Sequence, residues 1–383
     1  MRPAPALREL QAQASVHAVR TAVGDPAWLV TGHEEVRRLL DDDRLGRAHR
    51  EPERASRAGE SALFGGPLGN FDTEQADHRR MRSLLQPHFS PRRMRALRAR
   101  VETLTANLLN ELAAGGPPAD LHAALAVPLP IAVICELLGV PYEDRAQFRA
   151  LTQAAADITD RARSEWGLAE LFDYGMQLVA RKRAEGRLGD DQDPDVISRL
   201  VATEGVSDGE SAAMGMFLLF AGHETTVVAI GTGALWLLAN PEQWERLVNE
   251  PSRIDAVVEE ILRAPMLGGN GIPRYARTDL EIADVQVRAG DLVLLDTGAA
   301  NHDPSVYVEP DRFDILRPPV PHLTFGHGAR YCIGAPLARI ELQVVFAQLA
   351  ARFPTLKLAC EAKDLSFNLN VLTGGLTALP VTW

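Results

Sequence analysis

The stretch 207–241 leaves this chain little choice of fold. Ser207-Asp208-Gly209-Glu210 has the capping-box spacing that starts a helix, and no proline follows until Pro241. Such a helix is about 48 Å long at ~1.5 Å per residue. It is apolar on nearly every face, so it has to cross the protein interior with other elements packed around it. His223 and Glu224 break the middle of the apolar run 214–239. That pair would be costly at a bilayer centre, so the segment reads as a core helix and not a membrane span.

The same segment holds Ala221-Gly222-His223-Glu224-Thr225-Thr226. Glycine inside a helix costs ~1 kcal/mol relative to alanine. A buried glutamate is costly unless it is paired or its pKa is raised. Packing alone explains neither. A glycine here would admit a bulky ligand to the helix, and the Thr225 hydroxyl can bond back to the helix or donate to that ligand. Taken alone, a kinked helix with a solvated charge is the competing reading.

A second local signal is Phe325-Gly326-His327-Gly328-Ala329-Arg330-Tyr331-Cys332-Ile333-Gly334, which runs into a helical stretch at 336–353. The glycines let the backbone fold tightly around one sulfur. A cysteine just ahead of a helix start meets free N–H groups and the positive dipole end, which favour a thiolate. A thiolate so placed is a ligand for a soft or borderline metal, with haem iron the leading candidate.

Bulk properties narrow the field. Net charge is −11, which argues against a general nucleic-acid binder. The cysteines are Cys135, Cys332 and Cys360, an odd and sparse set that fits a reducing cytoplasm better than a disulfide scaffold. The N-terminus shows no apolar leader, so a soluble, cytoplasmic, monomeric protein without membrane attachment is expected.

Periodicity predicts helices over 33–40, 73–115 with breaks at Pro87 and Pro91, 120–139, 143–156, 168–187 and 251–263. A strand is expected at 27–31, and alternation marks strands at 280–282, 285–287 and 292–295. The segment 47–70 reads as a long loop. The fold class is mainly α with a small β region, a single domain over 1–383 whose β-rich parts lie at about 20–60, 270–300 and 355–383.

Three further groups stand out. Glu260 and Arg263 form an i, i+3 pair, which by itself is an ordinary surface ion pair. His78 and Arg82, four apart, share a helix face. Arg274 follows the Glu260 helix, and Arg330 stands two before the cysteine.

These residues together resemble the cytochrome P450 family. The loop meets every fixed position of Phe-Gly-x-Gly-x-(His/Arg)-x-Cys-x-Gly, with Phe325, Arg330, Cys332 and Gly334 in place, and Gly222, Glu224 and Thr225 are similar to the family's (Ala/Gly)-Gly-x-(Asp/Glu)-Thr. The resemblance covers roughly residues 20 to 383, most weakly at 47–70, 158–189 and beyond 362. It implies the P450 fold, with the long helix crossing the haem, and Cys332 as the iron ligand of heme b (iron protoporphyrin IX). It implies that Thr225 holds oxygen while Glu224 feeds protons from solvent. His78, Arg82, Arg274 and Arg330 would meet the propionates. Glu260, Arg263 and Arg312 would form a structural ion group behind the cysteine loop.

The implied activity is a soluble bacterial haem-thiolate monooxygenase using O₂ to hydroxylate, epoxidise or couple a medium-sized, largely apolar substrate, in secondary-metabolite tailoring. No strand-linked Gly-x-Gly-x-x-Gly appears, so electrons would come from a separate ferredoxin and NAD(P)H-dependent ferredoxin reductase. A peroxide-driven haem-thiolate enzyme and a non-catalytic haem-binding protein are the alternatives. Asn270, Asn368 and Asn370 are candidates for polar substrate contacts.

Overall fold

The protein is described by a computed structural model over residues 5–185, 195–264 and 271–383. Its axis is the helix Asp208–Ala239. The capping box forms as expected: Glu210 N–H donates to Ser207 Oγ at 3.2 Å, and Ser207 N–H donates to the Glu210 carboxylate at 2.9 Å. The helices Pro128–Leu138, Arg161–Glu185, Val196–Ala202, Pro241–Asn249, Ile254–Arg263 and Ala335–Arg352 pack around this axis. Leu219, Ile230 and Leu237 are fully buried along it. The exception is a stripe spaced by four residues. Ala213, Phe217 and Thr225 are exposed and Ala221 half-buried, all on one face. Phe217, a large apolar side chain on a core helix, is 45% exposed. Among the described residues, that is the face of the helix that other elements leave exposed.

The β region draws on both chain ends. Its main sheet runs Val16–Arg20, Pro26–Val30, Leu292–Leu295, Ile272–Ala276, Leu45–Gly46. Pairing is antiparallel except where Trp28 meets Val293 in parallel register. Ile272–Ala276 lies between two neighbours, so Arg274 is held in the interior opposite Val293. A smaller sheet joins Ala119–Asp120, Pro380–Thr382 and Lys357–Leu358. The predicted hairpin of Leu280–Ile282 and Val285–Val287 is present.

Several boundaries differ from the expectation, each for a physical reason. The helix expected from 168 begins at Arg161 and runs through Gly167. A Cβ at Gly167 would overlap the backbone of Ala155, so this glycine lets the helix Arg145–Ala155 press close and does not break its own helix. The single helix expected over 120–139 is a π turn at His122–Ala126 followed by Pro128–Leu138. Pro128 has no N–H to give the preceding turn and opens a new helix instead. Val196–Ala202 was not anticipated from the pattern. Asp195 caps it by accepting from Ser198 N–H at 2.8 Å.

Candidate active site

The cysteine loop is shaped by its glycines and closed by one backbone bond. Gly326 and Gly328 have φ of +74° and +67°, a region that L side chains rarely enter. A Cβ at Gly328 would also overlap the carboxylate of Asp41, which accepts the Ala329 N–H at 2.9 Å. Cys332 N–H donates to the Phe325 carbonyl at 2.8 Å, so both ends of the loop are tied. Cys332 is exposed on its open side and lies three residues ahead of the helix Ala335–Arg352.

The backbone N–H groups of Gly334 and Ala335 and the charges of Arg82 and Arg339 all favour a thiolate. Burial behind the loop outweighs them and pushes the thiol pKa above its usual value. In the bare protein burial thus works toward the protonated thiol, against the thiolate that the helix start favours. A coordinated metal would remove that proton. Among the described residues no three His, Cys, Asp or Glu side chains gather to hold a metal ion. A metal at Cys332 must therefore bring other ligands of its own, as a porphyrin does.

A clasp flanks the loop. Glu259 accepts from Arg339 Nε at 2.7 Å and Nη2 at 3.0 Å. Arg339 also bonds the Tyr331 hydroxyl at 3.2 Å and lies 4.7 Å over the Phe325 ring. One guanidinium thus touches both ends of the loop.

Beside the cysteine lies a group of cations. Arg82 Nη1 donates to the Tyr331 carbonyl at 2.8 Å. Arg330 donates to Glu74 at 2.9 Å, and Arg277 approaches the same carboxylate at 3.4 Å. Glu74 also accepts the backbone N–H of Arg47 at 2.7 Å and of Ala48 at 3.1 Å. Arg274 is 8% exposed, and its recorded hydrogen bond is to the carbonyl of Pro273 at 2.9 Å. Its pKa is driven down to about 9 by burial and then by the charges of Arg330 and Arg47. Burial and the charges of Arg330, Arg82 and Arg274 lower His78 as well. Arg47, Arg274, Arg277 and Arg330 thus act on the single carboxylate Glu74. The balance calls for further anions, and a pair of propionates fits that demand. The structure gathers His78, Arg82, Arg274 and Arg330 as the sequence suggests. Glu74, their hub, was not singled out, although it stands four residues before His78 on the same helix.

Glu260 and Arg263 are 4% and 3% exposed, so they are a buried pair and not a surface one. Arg263 meets Glu260 through Nε at 2.7 Å and Nη2 at 2.9 Å. The expected third member is corrected. The Arg312 side chain turns outward to Glu309 at 3.3 Å, and only its backbone carbonyl serves Arg263. Arg317 takes the place by the carboxylate, with Nε 3.3 Å from Glu260. A turn at 309–312 brings backbone carbonyls inward and leaves the Arg312 side chain in solvent.

On the central helix, Thr225 Oγ1 donates to the Ala221 carbonyl at 2.7 Å, which places the threonine on the exposed stripe. Burial raises the Glu224 pKa, and the charge of Arg149 opposes that rise. His223 is buried, with Nδ1 3.4 Å from the Glu224 carboxylate, and its pKa falls to about 4. Gly222 does not do what the sequence suggests. Its missing side chain admits Ile134, whose Cδ1 would lie 2.8 Å from a Cβ there, so it serves helix packing and not ligand approach. Ala221, on the same stripe as Thr225, is the small residue on the open face. Asn368 and Asn370 line a cavity together with Glu224. Asn270 lies outside the described residues.

A cysteine presented by a tight loop, a cation group beside it and an acid–alcohol pair on an all-but-buried helix fit a haem-thiolate oxygenase. Comparison with known proteins agrees. A sequence profile described as cytochrome P450 matches residues 159–373. Pentalenolactone synthase of Streptomyces exfoliatus is 43% identical, over 99% of this chain and 96% of that protein. Mycinamicin IV hydroxylase/epoxidase of Micromonospora griseorubida is 37% identical, over 98% and 94%. Among solved structures, the pimaricin epoxidase P450 PimD superposes with a TM-score of 0.86 at 37% identity, over 99% of this chain and 96% of that one. The thaxtomin hydroxylase P450 TxtC reaches 0.90 at 31% identity, over 99% and 98%. This chain belongs to the cytochrome P450 family and is a haem-thiolate monooxygenase.

Proposed function

We propose that this monooxygenase oxidises a medium-sized, largely apolar secondary metabolite as a tailoring step, with heme b as its cofactor. The observation that carries the reading is Cys332 set beside the anion-poor group of Arg82, Arg274 and Arg330. Cys332 would hold the iron through Sγ, and His78, Arg82, Arg274 and Arg330 would hold the propionates. When bound, the haem supplies two-electron activation of O₂, one atom entering the substrate and the other leaving as water. Glu224, half-buried at the junction of the polar cavity and the open stripe, holds and passes the protons that this stoichiometry needs. Thr225, beside it, orients a donor on the open face. Glu259 and Arg339 brace the cysteine loop.

Electrons would arrive from a separate ferredoxin served by an NAD(P)H-dependent reductase. The acid–alcohol pair favours that route over a peroxide-driven one, since peroxide already carries its electrons and protons. The relatives' names include a synthase, a hydroxylase/epoxidase and an epoxidase of natural products, which supports a tailoring role. The test is the reduced, CO-bound spectrum. Thiolate ligation gives a Soret band at about 450 nm, and Cys332→Ser should lose both that band and product formation. A wild-type protein that binds haem without the band would sink the proposal.

A further inference from the structure

The cavity beside Glu224 carries information about the substrate. Its volume is ≈ 480 Å³. Its floor is His223, Glu224, Val227 and Val228 of the central helix, and its roof is Arg149 and Gln153 of the helix Arg145–Ala155. The turn at 157–160, the start of the helix Arg161–Glu185 and the C-terminal segment with Asn368 and Asn370 close the sides. Backbone bonds hold that wall in place: Ile158 N–H donates to Asn370 O at 3.0 Å and Leu372 N–H to Ala156 O at 2.9 Å.

The charges in this wall are unequal. Asp157 is 3.3 Å from Arg163 and also accepts from the backbone of Thr159 and Asp160, so these charges are matched. Burial disfavours the charged forms of His122, His223 and Glu224. Arg149 is different. It is exposed at the cavity wall and its charge acts on all three of those groups, while among the described residues its guanidinium makes no hydrogen bond or ion pair. The cavity therefore sets Val227 and Val228 beside His223 and Glu224, has amides in its walls and, among the described residues, one cation without an ion-pair partner.

We infer that Arg149 makes the pocket selective for substrates bearing a carboxylate on an otherwise apolar skeleton, with the carboxylate seated on its guanidinium beside the amides of Gln153, Asn368 and Asn370. The planar fork of a guanidinium matches a carboxylate in shape and charge. The inference rests on the monooxygenase reading of the site.

The test uses the full haem-loaded chain and two matched probe pairs, dodecanoate with methyl dodecanoate and abietate with methyl abietate. Binding is read from the low-spin to high-spin Soret shift and from calorimetry. At least one acid should bind about tenfold more tightly than its ester, the scale of one charge-assisted hydrogen bond. Arg149→Met should weaken that acid about tenfold and leave the ester unchanged, and Arg149→Lys should retain part of the preference. Esters that bind as well as acids in both pairs overturn the inference, as does an acid preference that survives Arg149→Met or a variant that loses acid and ester alike. A variant that binds acids normally but wastes NAD(P)H would place Arg149 on the proton supply of Glu224 instead. The wild-type band at about 450 nm is the separate check. Its absence overturns the site reading and this one together, and its presence without acid preference overturns this one alone.

Discussion

Arg317, not Arg312, brings its charge to Glu260, its Nε 3.3 Å from the carboxylate that Arg263 grips at 2.7 Å. Glu260 also accepts the Asp314 N–H at 2.9 Å, and Arg263 donates to the carbonyls of Asn301 and Pro310. The segment leading to the cysteine loop therefore hangs on one buried carboxylate. Removing one partner of a buried pair costs ~3–5 kcal/mol, so Glu260→Gln should lower the urea midpoint of the holoprotein sharply. Arg312→Ala, at an exposed side chain, should change stability by about 0.5 kcal/mol or less. Equal effects of the two substitutions would refute the assignment of Arg317.

Arg274 is short of counter-charge, and bound propionates would supply it. Arg274→Met should therefore speed haem transfer to apomyoglobin, by about tenfold for the loss of a charge-assisted contact. The far-ultraviolet circular dichroism should stay unchanged. A transfer rate equal to wild type would show that Arg274 serves the sheet and not the cofactor.

The proposed role of Glu224 and Thr225 is in proton handling, so their loss should separate electron use from product. Glu224→Gln and Thr225→Ala should keep the substrate-induced spectral shift while product per NAD(P)H falls several-fold and peroxide accumulates. Full coupling in both variants would exclude the acid–alcohol role.

His223 links the core to acid stability. Its folded pKa is about 4 against an ordinary value of 6.5. Between these values the unfolded chain binds a proton that the folded chain does not, so stability is lost as pH falls through that window. The shift is worth about 3 kcal/mol at ~1.4 kcal/mol per pKa unit. His302, held at about 3 by burial, acts with the same sign. Urea unfolding at either end of the window should show His223→Leu losing less stability on acidification than wild type. An unchanged pH slope would count against the buried neutral form.

The legible parts of this protein were those written in consecutive residues. Loop glycines at 326 and 328, the capping box at 207 and the i, i+4 pair at 78 and 82 act within a few residues of themselves, so their spacing carried their geometry. Gly167 and Gly222 misled because a glycine that admits a neighbouring helix looks the same in sequence as one that breaks its own or admits a ligand. The strand Ile272–Ala276 was obscure because Pro273 and Arg274 interrupt its apolar pattern while its neighbours bury it.

The sequence by itself determined that this chain has a long core helix and a cysteine in a tight glycine loop, since both rest on local backbone preference, and its motifs carry the resemblance to oxygen-activating haem proteins. Only the tertiary structure decided that Arg317 completes the buried ion group, that Glu74 is the hub of the cations, and that Arg149 lines the cavity beside Glu224 without an ion pair among the described residues. The physical reason is that charge pairing and burial depend on which distant segments meet, and a guanidinium reads the same in sequence whether it faces water, a carboxylate or an open pocket.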